Sequence, residues 1–576
     1  MKIQGLTKSN IQFRHKVDDK NNPPQKNVCL SYPASEHLRA YIGCGKIHNI
    51  NNCGENMSNK EKYITIRENF SKDLAPKLLE TELNAWEFYI NSTDENMQKY
   101  LKSENDTHEL FKNEDLYSQL KDIKNTGLND RHLDKQLKDL YKSFDEELNA
   151  GDLKKALREK ENEIAAKYNA YVPMIDGKEV TKADISKILE TEKNPDVREK
   201  AYNAKVKGGD IIADDIKDLV KLRNEFAKSQ GYDNFYDYQL KEEYDVEPKE
   251  LDTLLDNVYE SAKPLNTKLR QENQQELANV FNIQPEELKA FHYGLLSDKN
   301  PAKEVNKHLK TKEQVVDIGK FAYQNMGFDL DNMNITLDLF PRKNKNTHGF
   351  CFEIEPGKDS RILANLTNNT NSLDTICHEL GHCVYNLGID TELPYLDRGT
   401  TPAMTEAVAM MMGDLAQREN ILKDVVQDDA LEKFKNDYKK SEAKFINRSM
   451  MIINFEKEMY KNPDQDLGQL WHDMKCKYTG RNESEEVDNE WATIPHYLSH
   501  PGYYQNYFRA DLIKAQMYNH LTDELGPITE NKHTAEYLNE HLFRYGKSIE
   551  EDELIEKFTG QKLSADALCN SLQLDN

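Results

Sequence analysis

Residues 372–388 read SLDTICHELGHCVYNLG and contain the chain's only His-Glu-x-x-His, His378-Glu379-Leu380-Gly381-His382. Ser372 is a helix-capping residue type, Ile376, Leu380 and Val384 recur at every fourth position, and Gly388 supplies a stop. The spacing predicts a helix. Side chains four apart on a helix share a face, so both imidazoles can reach one ion while Glu379 turns towards the adjacent position where a water would stand. Two imidazoles and a carboxylate base in that pattern are the parts of a metal-dependent hydrolase. A catalytic zinc also needs a third protein ligand, and residues 401–410, TPAMTEAVAM, offer a carboxylate, Glu406, at the opening of an apolar helix.

Working outward, Ile335, Leu337 and Leu339 alternate with polar residues, and residues 349–354 and 361–366 read as two strands joined across Pro356-Gly357. A small antiparallel sheet is therefore expected beside the metal helix. Elsewhere the period is helical: Leu79, Leu83, Trp86 and Ile90 fall on one face, Ser92 or Thr93 can cap the next helix, and residues 251–265 and 315–321 repeat the pattern. The expected fold class is mainly α. Residues 1–60 are polar, rich in Asn and Lys and broken at Pro23-Pro24, so they are expected to stand apart from one catalytic domain over residues 61–576. Within that leader the spacing of Cys29, Cys44, His48 and Cys53 matches no zinc module.

The 576 residues carry 101 acidic against 77 basic side chains, a formal net charge of -24. Such a surface repels phosphate, which argues against nucleic acid or an anionic membrane as partner. No apolar run is long enough to span a bilayer, and the first residues lack a signal-peptide core. A cytoplasmic monomer is expected. The eight cysteines do not form a disulfide framework: on a helix Cys377 and Cys383 stand about 9 Å apart along the axis, too far to bridge.

The chain resembles the angiotensin-converting-enzyme family of zinc dipeptidyl carboxypeptidases, more closely its soluble bacterial members and more distantly the thimet-type oligopeptidases. The motifs that carry the resemblance are the His378–His382 element, Glu406 in a Thr-Glu-Ala context 24 residues after His382, and His348, opening His348-Gly349-Phe350-Cys351, 30 residues before His378. Weaker echoes are Trp86 with Asn91-Ser92-Thr93, Trp471 with Lys477-Tyr478-Thr479-Gly480, and Phe558-Thr559-Gly560. The resemblance implies a two-lobed helical ellipsoid around a deep channel, with one Zn2+ per chain held by His378, His382 and Glu406. It implies hydrolysis of short unfolded peptides by activated water, with Glu379 as base and then acid. It assigns substrate backbone to His348 and Gly349. Downstream, His496 and Tyr504 would bind substrate, and Tyr507 would stabilise the oxyanion. The carboxylate that the family places four residues after the third ligand is Met410 here, so Asp374, one turn before His378, is expected to support the histidines instead. The animal members carry a lysine for the substrate's terminal carboxylate two residues before the downstream histidine. Ile494 occupies that position, so amidated peptides are expected to be cleaved nearly as well as free ones. A metallocarboxypeptidase with the same site, or an inactive peptide-binding protein, remains open.

Overall fold

The computed structural model describes residues 57–149, 151–295, 300–346 and 349–573. All but the last residues of the polar leader, with its cysteines, lie outside this set, as does His348.

The first described helix, α1 (Asn59–Ile90), starts at a capping box in which Ser58 and Glu61 satisfy each other's backbone amides. Thr93 caps the helix after it by accepting from the Asn96 amide. The longer helices that frame the site are α2 (Ala213–Ser229), α3 (Pro248–Phe281), α4 (Lys312–Asn325), α5 (Thr370–Gly388), α6 (Pro402–Gly413), α7 (Tyr438–Lys461) and α8 (Tyr504–Leu525). The fold is mainly α, as its periodicity requires. Helix α5 begins three residues earlier than its sequence suggests, because Asn369 rather than Ser372 is the cap. The Asn369 carboxamide accepts from the Ser372 amide at 2.8 Å, and the Ser372 hydroxyl is taken by the Thr367 amide at 2.9 Å.

A two-stranded hairpin, β1 (Met174–Ile175) with β2 (Lys178–Glu179), stands apart from a sheet of β3 (Ile335–Asp338), β4 (Phe350–Glu355) and β5 (Asp359–Leu363) ordered β3-β5-β4. Strands β4 and β5 pair antiparallel across the expected turn, where Gly357 takes φ +80°. The sheet is nevertheless mixed, not purely antiparallel as expected, since β3 runs parallel to β5. After β3 the chain passes to the far edge, forms β4 and folds back, so β5 enters the middle in the direction of β3. That order leaves β4 as an edge strand. Its alternation points Phe350, Phe352 and Ile354 at Trp86 and Tyr89 of α1, while Cys351 joins the core around α5.

Two large apolar cores meet at α8. One gathers α4, α5 and α6 with Ile513 and Met517 of α8. The other gathers α2, α3 and α7 with Phe508 and Leu512. A helix apolar on opposite sides thus stands between the two cores, and Tyr507 lies at its first turns.

Candidate active site

Helices α5 and α6 lie in close contact because Gly381 allows it: a Cβ there would stand 2.9 Å from the Ala409 Cα. That approach brings Glu406 to the histidine face. The ligand atoms of His378, His382 and Glu406 lie within 4.8 Å of one another, the only such group among the described residues. The His378 and His382 rings are 4.9 Å apart and nearly perpendicular, and His378 Nε2 is 3.7 Å from Glu406 Oε2. Burial holds the His378 imidazole well below its usual pKa, which keeps a ring lone pair available. The Ala409 carbonyl accepts a hydrogen bond from that ring, and His382 Nδ1 is 2.8 Å from the Thr405 hydroxyl. With Nδ1 so engaged, His382 presents Nε2 to the cluster.

Glu379 is 5 % exposed, and its Oε2 has no hydrogen-bond partner among the described residues. Burial, aided by the neighbouring Glu406 carboxylate, pushes it up to about 7, against a lowering hydrogen bond from the Cys351 backbone amide. The edge strand therefore orients the carboxylate of the metal helix. Gly349, at the head of that strand, is equally close: a Cβ there would be 3.5 Å from Glu379 Oε1.

On the other wall, Tyr507 is surrounded by Tyr503 and Tyr504 at ring distances of 5.3 and 5.4 Å, by His496 at 6.2 Å and by Phe445 of α7 at 6.4 Å. Burial, with the charges of nearby groups that include Glu406, keeps its phenol protonated. His496 lies 4.7 Å from the Tyr504 ring. Asp374 does not take the expected part. It makes no hydrogen bond to His378; its Oδ1 lies beside Gly413, and its electrostatic neighbours are Asp414 and Lys514. Its side chain is exposed to solvent.

Sequence reading missed Thr405, the Ala409 carbonyl, the Cys351 amide and Phe445. The Thr405 hydroxyl could have been suspected, standing next to a candidate ligand, but two of the others are backbone groups that no residue type announces. Cys351 and Cys383, from strand and helix, place their buried free thiols 3.2 Å apart.

Residues 188–574 match the sequence profile of Peptidase family M3, a stretch that is more than half of the chain and holds all the clustered residues. The chain belongs to peptidase family M3. A second profile, Angiotensin-converting enzyme, matches residues 57–290, upstream of the metal cluster. The angiotensin-converting-enzyme resemblance is thus matched over residues 57–290, while the M3 profile covers the site. Among curated relatives, Oligopeptidase A of Haemophilus influenzae is 24% identical over 429 residues, 61% of either chain. Oligopeptidase PepF of Bacillus subtilis is 24% identical over 184 residues, 30% of this chain and 26% of its own. The M3 chain thus spans less than two thirds of each of these relatives. No helix among its described residues is long and apolar enough to cross a membrane.

Proposed function

We propose that this M3 peptidase is a zinc-dependent oligopeptidase cutting short, unfolded peptides, with His378, His382 and Glu406 holding one zinc ion and Glu379 moving the proton. The observation that carries the reading is the cluster of three donors within 4.8 Å beside a buried carboxylate oxygen without a partner among the described residues. The donors fit the ion: two imidazoles and a carboxylate leave an open fourth position in catalytic zinc sites. Zinc bound there would polarise a peptide carbonyl and lower the pKa of water towards about 7. Glu379 accepts the proton of the attacking water and returns it to the leaving amine, for which its raised pKa is suited. The Tyr507 hydroxyl donates to the developing oxyanion, a contribution typically worth about 10² to 10³ in rate.

As an edge strand, β4 has one side without a partner strand among the described residues, where an extended peptide would add; Gly349 stands at its head, His348 precedes it in sequence, and His496 and Tyr504 would also bind substrate. Recognition through backbone tolerates many sequences, and the names of both relatives support the same class of substrate. The net charge of -24 supports a cytoplasmic monomer that engages neither nucleic acid nor membrane.

The test is zinc content by elemental analysis, with mass spectrometry of the products of a ten-residue peptide (about 1.1 kDa), before and after chelation. We expect about one zinc per chain, and cleavage that stops on chelation and returns with zinc. Release of single C-terminal residues would make the protein a carboxypeptidase. A zinc-loaded protein that binds peptides and never cuts them would be the inactive binder. Glu406→Ala should empty the site while alanine at nearby Glu392 should not, and equal occupancy in the two variants would remove Glu406 from the ligand set.

A further inference from the structure

Five side chains lining a cavity of about 410 Å3 are cations, Lys182, Lys205, Arg448, Lys475 and Arg481, against one carboxylate, Glu490. That balance reverses the chain's own, whose net charge is -24. Three of the cations are matched. Lys205 is 2.7 Å and Lys475 3.6 Å from Glu490, Lys475 is also 3.5 Å from Asp488, and Arg481 is 3.4 Å from Glu485. Lys182 and Arg448 form no ion pair with any described carboxylate. Lys182 lies 3.5 Å over the Tyr168 ring, and burial, the sole influence on its amine, pushes it down to about 8. It is also the first residue of a helix, Lys182–Thr191, whose N-terminal end adds partial positive charge.

The cavity adjoins the candidate active site. Arg448 is near enough to Tyr504 for its positive charge to lower that phenol's pKa against the effect of burial, and the Tyr504 ring is 5.4 Å from Tyr507 and 4.7 Å from His496. On α7, Phe445 and Arg448 are one turn apart on the same exposed face, so this face runs from Tyr507 to the cavity. Two cations without a counter-charge among the described carboxylates attract an anion, and the anion a peptide brings is a carboxylate. The volume suits a small ligand or a chain end.

The geometry points to a subsite in which Arg448 and Lys182 bind a carboxylate of the substrate, either its free C-terminus or an Asp or Glu side chain. The inference rests on the oligopeptidase reading and adds a substrate class to it. It also revises the expectation drawn from Ile494, which lines the same cavity: the charge absent at that position is supplied from α7 and from the Lys182 helix.

The experiment compares peptides of one sequence that differ only in charge: free against amidated C-terminus, and Glu against Gln near either end. Kd is measured by fluorescence with the zinc-loaded Glu379→Gln protein, and kcat/KM with the wild type. At least one anionic peptide should bind about tenfold more tightly than its neutral twin, and the pair that differs identifies which carboxylate enters. Arg448→Gln should bring that ratio close to one, Arg448→Lys should restore most of it, and Lys182→Gln should reduce it by about threefold. Arg448 is exposed, so its variants should fold, and the wild-type comparison decides even if one does not. Equal affinities across all the peptides, or a preference that survives the double Lys182→Gln/Arg448→Gln variant, would overturn the subsite. Because binding is read in a protein that cannot turn over, loss of catalysis alone counts against the oligopeptidase reading and not against this one.

Discussion

Glu379 owes its raised pKa to burial and to Glu406 on α6, against a hydrogen bond from the Cys351 amide on β4. Glu379→Gln keeps the volume and the metal donors while removing the proton acceptor, so zinc content should be unchanged and turnover should fall by about 10³-fold or more. Near-normal kcat would mean that another group moves the proton. Thr405 acts one step further out. Thr405→Val is nearly isosteric and removes the oxygen opposite His382 Nδ1, so zinc affinity, measured by competition with a chelator, should weaken by about 10- to 100-fold. The motif residues can be read from the chain because their spacing is local. The Thr405 bond joins residues 23 positions apart, and only the packing of two helices creates it.

Elements enter the site through their mutual placement. Lys514 of α8, almost fully buried, lies 3.0 Å from Asp414 at the end of α6 and 2.8 Å from Asp511, and the Tyr438 hydroxyl at the start of α7 stands 2.8 Å from Asp414 and 2.7 Å from Glu442, with one proton to give to either. This cluster ties the helix that carries Glu406 to the helix that carries Tyr507. Lys514→Met would leave several carboxylates buried without their cation, and the denaturation midpoint should fall by an amount equivalent to about 3 kcal/mol or more. Adding Asp414→Asn should recover part of that loss. A single variant as stable as the wild type would show that water already solvates the cluster. At this scale the helices and the hairpin across Gly357 were legible from periodicity and turn residues. The mixed sheet was not, because alternation reports which residues form a strand but not which neighbour it pairs with.

Over the whole molecule, one contact joins three distant parts of the chain. His132 sits between Asp397 at 2.9 Å and Glu550 at 3.0 Å, and the hydrogen bonds its ring donates to these two carboxylates raise its imidazole from 6.5 to about 9. A group whose pKa is higher in the folded state stabilises fully below its unfolded value. The contribution is therefore complete below about pH 6.5 and is lost as pH rises through about 9. It is on the order of 2 kcal/mol. The Tm difference between wild type and His132→Gln should narrow across that window, and a difference constant with pH would assign the contact to packing alone.

Read without coordinates, the chain already specifies a mainly helical protein, a metal helix at residues 372–388 and a plausible third ligand. Helical period, capping residues and the four-residue spacing of two histidines are properties of short segments, whose physics needs no distant partner. What folding alone decided is whatever depends on two segments meeting. The Ala409 carbonyl became the acceptor for His378 where Asp374 had been expected, because Gly381 lets α6 approach. The cations of the Arg448 cavity come from segments between residues 182 and 481, so their surplus over Glu490 exists only once those segments enclose a common volume.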